Sequence, residues 1–372
     1  MRFEHLTPTR VIFGRDRLSE LGALTRPLGV RALLVCGRTA MRRHGVLDRA
    51  CRSLQLAGVD VHVFDGVSRN PCCEEVQAAI TLARQQRSEV IVALGGGSAI
   101  DTAKAAGAAI RLDSVAALVG TTLPDEQQAL PVIAVPTTAG TGAEVTRGAI
   151  ITDRARCLKS GIRGRTVFPS LALIDSRLSS TTPREVALET AFDALTHAVE
   201  GYLARQASPL TDILAERALG LTAPGLRGLA AGEDTPELWD RLALGALLGG
   251  LTVATASTCL PHRLQQAMGG ISHIELAHGR GLAALYPPWV ERANAFAEER
   301  FARIAQLIGA ASAAEGILDL LERGGLRQGL HASGYQLADI DVFLANVTGN
   351  VDNDPIDVVG PPLMRAIYAE AM

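Results

Sequence analysis

"EVIVALGGGSAIDTAK", residues 89–104, decides the fold. A short apolar, β-branched run ends in Gly95, Gly96 and Gly97, and a helical pattern, "AIDTAKAAGAAIR" (99–111), begins at once. A buried strand that runs through glycines into a helix is the building unit of a parallel sheet. The same alternation extends in both directions. Upstream, "RALLVCG" (31–37) and "DVHVFDG" (60–66) read as strands, and residues 40–58 and 71–87 as helices. Downstream, "LPVIAVPTT" (130–138) and "LALID" (171–175) are further strands. Strands that alternate with helices predict a parallel sheet covered on both faces.

The alternation stops near residue 180. "STTPREVALETAFDALTHAVEGYLA" (180–204) places Thr182 as N-cap, Pro183 at the first helical position and Glu185 at the third, a capping-box start. Beyond it the patterns are helical, with almost no strand signal. The sequence thus predicts an α/β domain over residues 1–180 and an all-helical domain over 181–372. The charge-free stretch 242–261 is rich in Gly, Ala, Ser and Thr, so it reads as a buried core helix rather than a membrane span.

Composition narrows the function. A net charge of −3 gives no electrostatic ground for binding nucleic acid or an anionic membrane. The 6 cysteines show neither CxxC pairing nor zinc-finger spacing and read as reduced thiols of a cytoplasmic protein. "MRFEHLTPTRVIFG" has early charges and no apolar core, unlike a secretory leader.

Two polar, glycine-rich loops follow strands. In "LGGGSAIDTAK" (94–104), backbone without Cβ can approach a pyrophosphate, the helix offers free N–H groups and Ser98 a hydroxyl. The loop lacks the GxGxxG spacing, and alone it reads equally as a tight turn. "PTTAGTGAEVT" (136–146) repeats the arrangement, and two such loops at strand carboxyl ends mark where open α/β sheets bind ligands. In "FDALTHAVEGY" (192–202), Asp193 and His197 stand four apart, on one helix face. His262 and His278 follow downstream. One carboxylate and three imidazoles make a mixed N/O set suited to Fe²⁺ or Zn²⁺, although spacing alone also allows ordinary core or loop histidines.

Taken in order, "GGGSAIDTAK", "PTTAGTGAEVT", "FDALTHAVEGY" and "HGRGLA" resemble the signatures of the iron-containing (group III) alcohol dehydrogenase family, from about Phe13 to about residue 290. The resemblance implies a Rossmann-like dinucleotide domain, a helical domain of the dehydroquinate synthase-like architecture, and an active site in the cleft between them. It implies metal ligation by Asp193, His197, His262 and His278. It places the cofactor pyrophosphate at Gly96, Gly97 and Ser98, with Asp101, Thr137, Thr138 and Lys159 as further cofactor contacts and Asn70 near the adenosine. It also implies a homodimer or larger assembly.

The chain departs from the pattern at several places, and its C-terminal segment "NVTGNVDNDPIDVVGPPLM" matches only loosely. The family commonly carries a second histidine four residues after the third ligand. Here Gln266 stands there and cannot titrate, which leaves His273, the ribose hydroxyls or water to move the proton. Ala143 replaces the usual Ser of the second loop. After the first strand, NAD-using members often carry Asp, whereas this chain has Gly37 and then Arg38, so NADP(H) is expected over NAD(H). Arg263 and Arg280 lie close in sequence to proposed ligands and suggest an anionic small aldehyde, such as a phosphonoaldehyde, among the small aldehydes and primary alcohols expected as substrates. The alternatives are a maleylacetate-reductase-like enzyme, a cyclising lyase of the same fold, and a metal- or nucleotide-binding module without turnover.

Overall fold

The computed structural model describes residues 2–271 and 273–372. Strand β4 (Val90–Gly95) is buried along its whole length. Successive side chains of a strand point to opposite faces. Val90, Val92 and Leu94 therefore join one apolar cluster, and Ile91 and Ala93 another. β2 (Arg31–Gly37) divides in the same way, Ala32, Leu34 and Cys36 against Leu33 and Val35. A sheet covered on both faces is why these strands read as unbroken apolar runs.

With β1 (Arg10–Gly14), β3 (Asp60–Val67), β5 (Val132–Pro136) and β8 (Leu171–Asp175), these strands form one sheet in the order β1-β8-β5-β4-β2-β3. Every pairing in it is parallel. β6 (Gly148–Asp153) and β7 (Leu158–Arg163) form a separate antiparallel pair. The helices of this unit are α1 (Leu21–Thr25), α2 (Ala40–Arg43), α3 (Val46–Leu56), α4 (Cys73–Gln85), α5 (Gly97–Ala108) and α6 (Ser176–Ser179). From β2 the chain moves to β3 on one side, and from β4 to β5 on the other. The carboxyl ends of β2 and β4 therefore flank a topological switch point, where open α/β sheets take their ligands.

Thr7–Thr138 and Ala143–Thr182 make up this α/β unit; Ala139–Gly142 and Pro183–Met372 belong to a second. Among the described residues no strand follows Asp175. The second unit consists of α7 (Arg184–Leu203), α8 (Pro209–Ala230), α9 (Pro236–Ala256), α10 (Leu260–Ala267), α11 (His278–Ala293), α12 (Glu298–Ile308), α13 (Ala313–Arg323), α14 (Ile340–Ala345) and α15 (Pro361–Ala371). They share one core whose large members include Phe192, Tyr286, Trp289, Phe301, Phe343 and Tyr368.

Three expectations about elements are corrected. The capping box at Thr182 does not form: α7 begins at Arg184 with Pro183 at its cap, and the Thr182 hydroxyl donates to the Thr137 carbonyl (2.9 Å). The charge-free stretch 242–261 is not one helix. α9 ends at Ala256, Ser257 takes a left-handed φ of 62°, and the chain turns by 93° into α10. Residues 40–58 hold two helices, separated at Gly45 (φ 66°). Among the described residues no single helix is long and apolar enough to cross a membrane.

Candidate metal centre and nucleotide-binding loops

α7 is buried over most of its length, so Asp193 and His197, one turn apart, face apolar surroundings rather than water. His262 lies in the first turn of α10, and His278 opens α11. Three helices thus bring the four side chains together. Asp193 Oδ1 lies 3.8 Å from His197 Nε2, 3.5 Å from His262 Nε2 and 3.4 Å from His278 Nε2. The ligand atoms of Asp193, His262 and His278 all fall within 4.8 Å of one another. His197 adjoins this trio through Asp193 and by stacking on His262, with ring centroids 4.7 Å apart. His278 is the most open of the four, its side chain 30% exposed.

Asp193 Oδ1 and His262 Nε2 are buried and have no hydrogen-bond partner. A buried carboxylate oxygen and a buried ring nitrogen that face each other without a good hydrogen bond are costly unless a cation lies between them. Donor atoms about 2.1 Å from a tetrahedral centre stand about 3.4 Å apart, close to the separations found here. The residues present therefore fit a divalent metal. Burial opposes ionisation of Asp193, but the neighbouring His197 and His278 outweigh it and hold the carboxyl well below its usual range. Burial presses His197 down to about 4, which keeps its ring neutral near pH 7.

Two groups that sequence reasoning missed meet the imidazoles. Glu200 Oε1 stands 2.7 Å from His262 Nδ1, and Gln265 Oε1 accepts from His278 Nδ1. Glu200 falls seven residues after Asp193, on the same face and inside the stretch that singled out the ligands. That spacing was the available signal. Gln266 is buried with its Oε1 unpartnered, and His273 is exposed.

The two arginines expected near the substrate differ from each other. Arg280 donates from Nε to Glu189 (2.6 Å) and from Nη2 to Glu185, so two carboxylates offset its charge. Arg263 is buried, donates from Nη2 to Ser257 (2.9 Å) and leaves Nε without a partner.

In the α/β unit, Gly95 pairs with Pro136 across β4 and β5, so the two glycine-rich loops leave the sheet side by side. A Cβ on Gly96 would stand 3.1 Å from Thr138 Oγ1, and the Thr137 amide donates to the Gly95 carbonyl (3.0 Å). Ser98 directs its hydroxyl to the Arg69 carbonyl. Asp101 accepts from the Ile150 amide (2.9 Å) and lies 3.6 Å from the buried Lys104. Lys159 Nζ donates to Asn70 Oδ1 (2.9 Å). Gly37 ends β2, and the Arg38 guanidinium beyond it is 68% exposed, 3.6 Å from Glu75. Gly96, Gly97 and Ser98 after β4 and Arg38 after β2 thus flank the switch point, and Asn70 and Lys159 join each other.

Comparison with known proteins gives a consistent result. Residues 8–176 match the family model for iron-containing alcohol dehydrogenases, and residues 187–355 match the C-terminal model of the Fe-containing alcohol dehydrogenase family. An NAD-dependent methanol dehydrogenase of Bacillus methanolicus is 30% identical over 364 residues, 92% of this chain and 93% of that protein. An NADPH-dependent butanol dehydrogenase of Clostridium saccharobutylicum is 32% identical over 84% of this chain and 79% of its own. The structure of a sulfoacetaldehyde reductase from Bifidobacterium kashiwanohense, in complex with NAD⁺, superposes with a TM-score of 0.88 at 27% identity, covering 99% of this chain and 98% of that one.

Proposed function

The chain belongs to the iron-containing alcohol dehydrogenase family, and on that premise we propose that it interconverts a small aldehyde and its primary alcohol by hydride exchange with NADP(H), at a metal held by Asp193, His197, His262 and His278. One observation supports this above the rest: Asp193 Oδ1 and His262 Nε2, buried, unpartnered and 3.5 Å apart, form an arrangement that a cation stabilises. Fe²⁺, or Zn²⁺ in its place, supplies a Lewis acid that polarises a carbonyl oxygen.

The chain's own groups do the rest. Gln265 holds the His278 ring with Nε2 toward Asp193. The amides of Gly96 and Gly97, at the start of α5, would receive the pyrophosphate, with Ser98, Asp101, Thr137 and Thr138 around them and Asn70 with Lys159 as further contacts. Arg38 would take the 2′-phosphate, since no carboxylate occupies the position after β2 to accept from a free ribose hydroxyl. Gln266 cannot titrate, so among this chain's own groups His273, or else water, would be left to move the proton.

The pairing of Arg280 with Glu185 and Glu189 favours an uncharged aldehyde. A second reading, an anionic aldehyde such as a phosphonoaldehyde, draws on the unpartnered Nε of Arg263 and on the likeness to a sulfoacetaldehyde reductase.

The test is nicotinamide oxidation with a panel of neutral and anionic aldehydes, NADH and NADPH run in parallel, on metal-loaded and chelator-stripped protein. We expect turnover that requires metal, faster with NADPH. Arg38→Ala should lower kcat/KM for NADPH about tenfold, the value of one charge-assisted hydrogen bond, and spare NADH. Equal turnover by stripped protein would contradict the reading.

A further inference from the structure

We propose that Glu200 is a positioning residue of the metal centre, fixing the tautomer and ring plane of His262 and tightening its hold on the ion. The inference rests on the metal reading above. Glu200 lies on α7 one turn beyond His197 and is fully buried. Its carboxylate acts on α10 at two points. Oε1 stands 2.7 Å from His262 Nδ1, and Oε2 accepts the Cys259 amide (2.8 Å) at the cap of the helix that carries His262. One side chain therefore sets both the ring and the backbone that bears it. The next amide, Leu260, is held by Asp354 Oδ2 (2.8 Å), which also accepts from the Trp289 indole (3.0 Å). The entry to α10 is thus pinned by two buried carboxylates.

A carboxylate accepts hydrogen bonds and does not donate them, so the proton of this pair sits on His262 Nδ1. Nε2, 3.5 Å from Asp193 Oδ1, is then the ring nitrogen left to offer its lone pair to a cation. A neighbouring carboxylate also makes the ring a stronger donor to a metal. Without Glu200 the ring is free to turn, and the lone pair need not face Asp193.

The experiment uses full-length protein stripped of metal, as wild type, Glu200→Gln and Glu200→Ala. Each is titrated with Co²⁺ against a chromophoric chelator, with the visible Co²⁺ spectrum and the melting of the metal-free form recorded. Glu200→Ala should weaken binding about 10- to 100-fold and change the Co²⁺ spectrum. Glu200→Gln keeps an acceptor for Nδ1–H but lacks the charge, and should fall between. Wild-type affinity in either folded variant overturns the proposal, and so does a lowered melting temperature with affinity unchanged, the signature of a purely structural role. If Glu200→Ala does not fold, Glu200→Gln alone decides. A wild type that binds no Co²⁺ defeats the metal reading itself, which separates the two failures.

Discussion

Burial pushes the Lys159 ammonium down to about 8, Asp101 opposing, while its Nζ donates to Asn70. Between about 8 and the ordinary lysine value the unfolded chain holds more protons than the folded one, so this group adds stability as pH rises through that window. Its charge in the folded protein fades over the same range. If Lys159 meets the dinucleotide, KM for the cofactor rises above about pH 8, and Lys159→Arg, which stays charged, flattens that rise. Initial rates across pH check this; superimposable profiles for the two proteins would contradict it. The sequence exposed such residues unevenly. Asp193 and His197 were legible because helix geometry places residues four apart on one face. His262 and His278 lie on other helices, so spacing left them open to a core or loop reading, and the resemblance singled them out. Glu200 stood within the same quoted stretch, but a helix glutamate usually faces water, and only the structure shows its burial against His262.

Elements were legible where burial left a pattern. β4 and β2 are apolar throughout because both faces are covered. β1 is an edge strand with two exposed residues, and β7, "LKSGIR", mixes polar and apolar residues, so neither carried a strand signal. The break between α9 and α10 was hidden because its residues carry no charge and only the backbone at Ser257 reverses. Gly142 offers a test at this scale. It has φ +60°, and a Cβ there would stand 2.4 Å from the Gly250 Cα on α9. Gly232 has φ +88° with nothing within 4 Å. Gly232→Ala should cost about 1 kcal/mol, the left-handed penalty alone. Gly142→Ala adds a backbone clash and should cost about 1–3 kcal/mol more. Denaturant unfolding of both variants measures the difference; equal costs would show that the loop shifts freely away from α9.

Across the whole molecule, the change from alternating strands and helices to helices alone was plain in the sequence, since it follows from hydrophobic period over long stretches. The pairing of the arginines read as guides to cofactor and substrate was not, because their partners, Glu75, Glu185 and Glu189, lie far from them in the chain. A ligand that binds only the folded state stabilises the molecule. At a hundred times its Kd a metal ion adds about 2.7 kcal/mol, which should raise the melting temperature by several degrees. Scanning calorimetry with and without Fe²⁺ or Zn²⁺ should show that rise in the wild type and lose it in Asp193→Ala. Anomalous diffraction from crystals grown with the metal reaches the central claim most directly. We predict one peak per chain, about 2.0–2.2 Å from Asp193 and from the Nε2 atoms of His197, His262 and His278. A metal-saturated crystal with no peak among these four side chains would contradict the account.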